Sequence, residues 1–489
     1  MDNSFAIDAS WATDPFFTMA PHPEQWTPFE YQHAGVEYAL ARDHALFGDA
    51  PGLGKTAECI LLGNAIGAKR SLVICPASLR LNWEREIWRW STLPNVSTYP
   101  VFKASDGVSH QHDYVILSYS LISNPAIFAA LKARLWDHVI LDEAHALKDP
   151  KKNKRVRAIC DDGGIKDVAG RVTMASGTIL PNQPIECYNA IRLLNWEAIN
   201  RASLDSFRDT YYDKGGGMVY GPVLKYTADG QPYTTRELHW SNQVRNVPRN
   251  LDDLQQRLRS KIMVRRLKSQ VLTQLPPKQW HVFPMSLTAG MREALRHPGW
   301  AQAEALYELD PDAFDRGIPV DGAISTAMRL LGEAAAPSVA EYIDQLFSEG
   351  VRKLVVCAWH RSVLHYLQQR LKRHGLVYMD GATSDRQKQA AVDQFQTREE
   401  IGVILGQMIP LGEGWTLTAA QDAVFAESFW VPGKMDQLLD RIHRIGQTGD
   451  CIIGHVPIAP GTLQEKMLGT LVEKEQHIHE ALDRRVDKR

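Results

Sequence analysis

Two α/β lobes are predicted, each a parallel sheet with helices on both faces, with a helical insertion between them. Short apolar runs alternate with amphipathic stretches along both halves of the chain. A glycine-rich turn carrying Lys55-Thr56 closes one of the first apolar runs, and the rhythm breaks once, between about 196 and 275. The 489 residues leave room for two or three domains, each with its own core.

Hydrophobic residues make up 44% of the chain and charged residues 23%, the balance of a soluble globular protein. A net charge of −2 exerts no global pull on nucleic acid, so any such contact must come from local patches. The six cysteines (59, 75, 160, 187, 357 and 451) are scattered with no Cys-x-x-Cys pair. They read as reduced core residues of an intracellular protein, and no structural zinc site is expected. The first Lys or Arg is Arg42, which argues against a charged signal or transit peptide. No apolar run is long enough to span a membrane, and the expected location is cytoplasmic.

Residues 1–27 read as an N-terminal arm, and Pro28-Phe29-Glu30-Tyr31-Gln32 then starts a helix to about 42. Gln32 carries the carbonyl and amide pair that reads an adenine edge; surface glutamines on helices are common, and its place before the loop favours that role. The loop is Gly48-Asp49-Ala50-Pro51-Gly52-Leu53-Gly54-Lys55-Thr56. Its backbone N–H groups at Gly52, Leu53 and Gly54 form a concave donor set beside a positive helix end. Lys55 adds a cation for the β- and γ-phosphates of ATP, and the Thr56 hydroxyl suits Mg²⁺. The usual pattern has glycine where Asp49 stands, and Gly52 supplies the freedom instead.

Strands are predicted at 71–75, 114–118 and 138–141, with a helix through Asn82, Trp83 and Trp90. In parallel sheets functional residues gather at the carboxyl ends of strands, where Asp142-Glu143-Ala144-His145 falls. Asp142 suits Mg²⁺ through water, and Glu143 suits orienting and deprotonating an attacking water. Ser176-Gly177-Thr178 follows a strand at 171–175 and either senses the γ-phosphate or is an ordinary turn. Trp83, Trp88 and Trp90 are spaced for core packing rather than base stacking.

The first lobe is taken as 28–275 and includes the insertion from about 196, of which 251–275 reads as helical and basic. The second is taken as 276–475, with a helical protrusion at about 286–347, and 476–489 ends a C-terminal helix. Its strands are predicted at 353–358, 377–380, 402–406 and 423–426, its helices at 361–373 and 384–396, and it has no phosphate loop. What it has is Gln437-Leu438-Leu439-Asp440-Arg441-Ile442-His443-Arg444-Ile445-Gly446-Gln447. Gln437, Arg441 and Arg444 are spaced four and three apart, on one helical face. Two guanidiniums there either lie on a solvated helix or act as arginine fingers on a triphosphate held by the other lobe.

The order of these motifs resembles that of the helicase-superfamily-two motors, and Asp440–Gln447 that of the Swi/Snf-type remodeller ATPases. The stretches Arg265-Arg266-Leu267-Lys268 and Leu275-Pro276-Pro277-Lys278 look closest to the branch that reanneals DNA and remodels forks. The resemblance covers about 28 to 475 and implies two RecA-like lobes hydrolysing ATP between them while tracking on double-stranded or forked DNA. It implies Gln32, Asp49 and Gln437 at the nucleotide, and Lys55, Asp142, Glu143, Arg441 and Arg444 in catalysis. It further implies coupling through His145, Ser176, Gly177, Thr178, Gly412 and Gly414. A monomer is expected, with a single-strand-binding, repair or replication partner.

Ala50-Pro51 departs from the family's acidic-methionine pair, and Glu413 and Trp415 depart from its tighter glycine motif. DNA contacts are expected from Ser78, Ser118 and Thr383, and from Lys151, Lys152 and Arg155. The last three lie in a run of six basic residues within 148–157, a pattern most often solvated loop. So compact a motor suits a bacterial or phage protein, nucleoid-associated or in the host cytoplasm. A strand-separating helicase and a nucleotide-gated adaptor for a nuclease or repair partner are the alternatives.

Overall fold

The computed structural model describes residues 27–148, 154–177, 184–212, 217–226, 232–241, 249–272, 274–309, 322–412, 414–427 and 432–465. From the amino end run α1 (Glu30–Leu40), β1 (Ala45–Phe47), α2 (Lys55–Ala65), β2 (Ser71–Cys75) and α3 (Arg80–Trp90). Then come β3 (Thr98–Pro100), β4 (Tyr114–Ser118), α4 (Pro125–Lys132), β5 (Trp136–Asp142), α5 (Lys154–Cys160) and β6 (Ala169–Ala175). After α6 (Tyr188–Asn195) and α7 (Leu204–Tyr211) follow β7 (Gly217–Tyr226), β8 (Pro232–Ser241), α8 (Leu251–Lys261), β9 (Met263–Val264) and α9 (Lys268–Val271).

Seven of these strands form one parallel sheet in the order β3-β4-β2-β5-β6-β1-β9. Its strands are apolar on both faces because both faces are covered. Leu72 and Ile74 of β2 pack with α4, α5 and α6, whereas Val73 and Cys75 pack with α1, α2 and α3. Successive side chains on a strand point to opposite sides, so an unbroken apolar run is what a doubly covered strand requires.

The second half runs β10 (Lys278–Pro284), α10 (Ala289–Ala294), α11 (Pro298–Leu309), α12 (Gly322–Ser348), β11 (Leu354–Ala358) and α13 (Arg361–Leu371). It continues through β12 (Leu376–Met379), α14 (Asp385–Thr397), β13 (Val403–Gln407), α15 (Met408–Gly412), β14 (Asp422–Phe425), α16 (Pro432–Ile442) and β15 (Ile452–Ile458). Six strands make a second parallel sheet, β10-β15-β14-β11-β13-β12. Leu354 and Val356 face α12 and α13, and Val355 and Cys357 face α14 and α16.

Three expectations change. The helix expected over 251–275 is broken, because Met263-Val264 leaves α8 to pair with Leu46-Phe47 at the edge of the first sheet. The insertion, expected to be helical, also contains the antiparallel ribbon β7–β8, whose Tyr, Val and Thr residues favour extended chain. The segment expected to protrude at 286–347 does not stand apart: Val339, Ala340 and Ile343 of α12 share one core with Leu354 and Leu364.

His138, on β5, is fully buried, with Nε2 2.8 Å from the Thr173 hydroxyl. Burial, helped by Arg171, pulls its pKa down to about 3, so the folded chain keeps it neutral. The unfolded chain protonates it below about 6.5, so this residue's contribution is lost as pH falls from there toward 3. His138→Gln should therefore flatten the acid side of a stability-versus-pH curve by up to one proton, ~1.4 kcal/mol per pH unit, read by urea denaturation between pH 6 and 4.

Candidate active site

Register brings the site together. Phe47 is paired with Ala175, and Ala175 with Asp142, so three neighbouring strands end in one row. The glycine-rich loop, Ser176-Gly177 and Glu143 therefore leave the sheet at the same edge. Gly52 and Gly54 have φ of +88° and +81°, the left-handed region that glycine enters at little cost. A β-carbon at Gly54 would stand 2.4 Å from Gln32 Nε2, so the cradle is closed to any side chain there. Lys55 opens α2, with Thr56 half-buried behind it, and its Nζ donates to the carbonyls of Asp49 (2.8 Å) and Ala50 (3.3 Å). Burial lowers the Lys55 pKa, with Glu143 and Asp49 opposing. Gly177 lies against the loop, since a β-carbon there would meet the Pro51 ring at 2.9 Å. Buried Ser176 donates its N–H to Phe47 O.

The acid pair is held from several sides. Asp142 accepts from Trp83 Nε1 (2.7 Å) and from the Glu143 N–H (2.9 Å), while Tyr119 OH donates to its carbonyl (2.8 Å). Burial, then the neighbouring Glu143, raises its pKa. Glu143 has φ +48°, a strained backbone for a residue with a β-carbon. Burial alone would raise its carboxyl, but His145, Arg441 and Lys55 outweigh that and hold it below the usual carboxylate range. His145 Nδ1 lies 3.2 Å from Glu143 Oε2. The two neighbouring carboxyls are thus shifted in opposite directions.

The second lobe supplies the arginines. Arg441 Nη2 lies 3.7 Å from Glu143 Oε1, and its Nε donates to Gly412 O at 2.8 Å. Arg444 follows the end of α16 rather than lying on it; its N–H bonds to Ile442 O, out of the helical pattern. It nevertheless reaches the loop, because a β-carbon at Gly52 would stand 2.8 Å from Arg444 Cγ. Burial, then Arg441, lowers its pKa to about 9. Gln437 is half-buried on α16, one turn before Arg441. Gly414 (φ +65°) abuts Leu79 of the first lobe, and Trp415 is buried in the second lobe's core.

Two expected nucleotide contacts are committed elsewhere. Gln32, 2% exposed, accepts from Phe29 N–H and donates to Leu53 O, so its amide caps α1 and steadies the loop. Asp49 is fully buried and accepts from the N–H, Nε and Nη2 of Arg266, which also pairs with Glu58 on α2 and donates to Tyr31 O. Arg265 donates to the carbonyls of Gly48 and Gly177. These two arginines were visible in the sequence as part of a basic linker; their role was not, since only the strand β9 carries them back to the loop.

The expected DNA contacts fare unevenly. Ser78 and Ser118 are each 3% exposed, and Ser118 bonds to Ser120; the Thr383 hydroxyl is held in a turn by Asp380. The Ser118 and Thr383 hydroxyls are taken up by local structure. Arg155 is half-buried on α5, and Lys151, Lys152, Thr178 and Glu413 lie outside the described residues. Trp83 and Trp90 are core residues, as their spacing indicated, but Trp88 is 55% exposed.

The donors fit Mg²⁺ with ATP: a hydroxyl at Thr56 and a carboxylate at Asp142, oxygens that a hard cation prefers, beside a glycine cradle that excludes side chains. Two parallel lobes, a phosphate-type loop in one and paired arginines in the other, define an ATPase core of the helicase type. Residues 31–329 match the SNF2-related domain and 338–446 the helicase conserved C-terminal domain. The chain belongs to the SNF2-related family.

It is 30% identical over 453 residues to the SWI/SNF-related matrix-associated actin-dependent regulator of chromatin subfamily A-like protein 1 of Xenopus tropicalis, covering 91% of this chain and 44% of that one. It is 31% identical over 477 residues to the DNA annealing helicase and endonuclease ZRANB3 of Bos taurus, covering 94% and 41%. A solved structure, the Sulfolobus solfataricus SWI2/SNF2 ATPase core in complex with dsDNA, aligns at 20% identity with a TM-score of 0.41, covering 94% of this chain and 93% of that one. The chain thus spans less than half the length of these curated relatives.

Replacing Arg266 tests the buried cluster. Arg266→Ala leaves Asp49 and Glu58 without their cation and should cost about 3–5 kcal/mol in urea denaturation. Arg85→Ala, which removes a pair with Asp393 whose side chains are both nearly half exposed, should change stability by no more than about 1 kcal/mol.

Proposed function

We propose that this chain hydrolyses ATP between its lobes, is stimulated by DNA, and moves along duplex DNA, remodelling or reannealing it. The observation that carries the reading is the meeting of Glu143 and Gly52 in one lobe with Arg441 and Arg444 in the other. Lys55 and the loop N–H groups bind the phosphates, and Thr56 and Asp142 hold Mg²⁺, which neutralises phosphate charge when bound. Glu143, kept ionised by His145, Arg441 and Lys55, orients the attacking water by accepting its hydrogen bond. Arg441 and Arg444 face the charge that develops on the transferring phosphoryl group. Because both surfaces are needed, each turnover closes and reopens the cleft, and DNA spanning the lobes is stepped. DNA as the substrate draws on the family and on relatives named for annealing DNA.

Glu143→Gln should keep ATP binding and lower kcat by about 10²–10⁴. Arg444→Ala should keep ATP binding and lower kcat by about 10³ or more. Wild-type turnover in either would remove that residue from its role. ATPase rates on duplex, single-stranded, forked and RNA substrates should be highest on duplex or forked DNA. A preference for single strands would favour strand separation, and no DNA-stimulated phosphate release would favour the adaptor.

A further inference from the structure

The segment joining the lobes touches both halves of the site. Arg266 fastens it to the loop and to α2, as described. Two residues on, Lys268 crosses to the second lobe: its Nζ lies 2.8 Å from Asp440 Oδ1 and 3.2 Å from His443 Nδ1, and it donates to His443 O at 2.5 Å. The Lys268 and Asp440 side chains are 11% and 8% exposed. Asp440 in turn accepts Arg444 Nε on its carbonyl at 3.1 Å, and Arg441 is its next neighbour. The Lys268 stem also reaches the loop, with Cε 3.4 Å from where a β-carbon at Gly52 would stand. We propose that Lys268 is a positioning residue for ATP hydrolysis: it grips the Asp440–His443 turn and thereby aims Arg444 at the phosphate loop. The proposal rests on the ATPase reading above.

Lys268 is not needed to keep α16 in place. Met435, Leu438, Leu439 and Ile442 are 0–3% exposed in the second lobe's core, and Leu417 N–H bonds to Arg441 O. What the lysine adds is the angle at which the turn after α16 leaves the helix. Misplacement of a catalytic group by about 1 Å costs about 10² in rate, so the angle matters more to kcat than to folding.

The charges facing Lys268 are Asp436, Asp440, His443 and Arg444 from α16 and its following turn, and Lys278 from β10, which pairs with Asp436 and lies 3.5 Å from Asp440. Burial lowers the Lys268 pKa to about 8, against the pull of Asp440. His443, lowered by burial to about 4, is neutral near pH 7, and the Arg444 guanidinium stays charged. Below about 8 the grip on Asp440 is charged; above it the lysine loses its proton and the grip weakens.

The test measures DNA-stimulated ATPase against pH for wild type, Lys268→Ala, Lys268→Arg, Asp440→Asn and the Lys268→Ala/Asp440→Asn double variant, with binding of a fluorescent ATP analogue alongside. Expected are a tenfold to hundredfold loss of kcat in Lys268→Ala with KM within about threefold, and a double variant no worse than the worse single. Wild-type activity should fall above pH 8, and in Lys268→Arg that fall should move upward by about one unit. Wild-type kcat in Lys268→Ala, additive losses in the double variant, or an unmoved alkaline limb in Lys268→Arg would each overturn the proposal while leaving the ATPase reading standing. No turnover by the wild type would overturn both. Should Lys268→Ala fail to fold, the Lys268→Arg limb decides alone.

Discussion

The site depends on one buried ion cluster, Arg266 between Asp49 and Glu58. Two carboxyls and one guanidinium share a space that water does not reach, and the Glu58 pKa is raised well above normal by burial, with Arg266 opposing. One guanidinium thus faces two buried carboxyls at once. Such a cluster contributes little net stability when intact and costs much when broken. Its value is geometric, because it fixes three segments far apart in sequence: the loop after β1, the second residue of α2's inward face, and the strap that follows β9. Arg265, bonded to Gly48 and Gly177, repeats the attachment on the neighbouring side.

From that anchor the strap passes directly to the second lobe, where Lys268 holds Asp440 of α16. Away from the site, Arg80 donates to Asp385 at 2.7 Å, and Leu79 lies against Gly414. Arg80 is almost wholly buried and also donates to the carbonyls of Ala77, Val101 and Phe102, so it is poorly screened by salt. The more exposed Arg85–Asp393 pair beside it is open to screening. The contact is thus part rigid and part adjustable.

Much of this was legible in the sequence where period and punctuation agree. β2, β4, β11 and β13 are apolar runs of five or so residues bounded by turns, and each lies within a residue or so of its expected place. The loop, Asp142-Glu143 and the two arginines declare themselves by residue type and spacing. What escaped was fixed by distant partners. Gln32 looked like an adenine reader because its amide suits that task, yet its two bonds go to Phe29 and Leu53. β9 is only two residues long, too short for periodicity, and β10 is largely exposed at an edge, without the apolar signature of its neighbours. Trp83 was expected in the core and is there; that its indole N–H serves Asp142 depends on how α3 crosses the sheet, which no local pattern encodes.

That last bond gives α3 two duties on one rigid rod. Its buried side holds the Asp142 carboxylate through Trp83, and Arg80 and Arg85 on the same eleven-residue helix tie it to α14 of the opposite lobe. A helix resists stretching along its axis, so when α14 shifts, the tug is delivered to Asp142 rather than absorbed in a loop. The molecule therefore has a lever whose short arm ends at the chemistry, and whatever moves the far lobe is felt there as a change in how one oxygen is held.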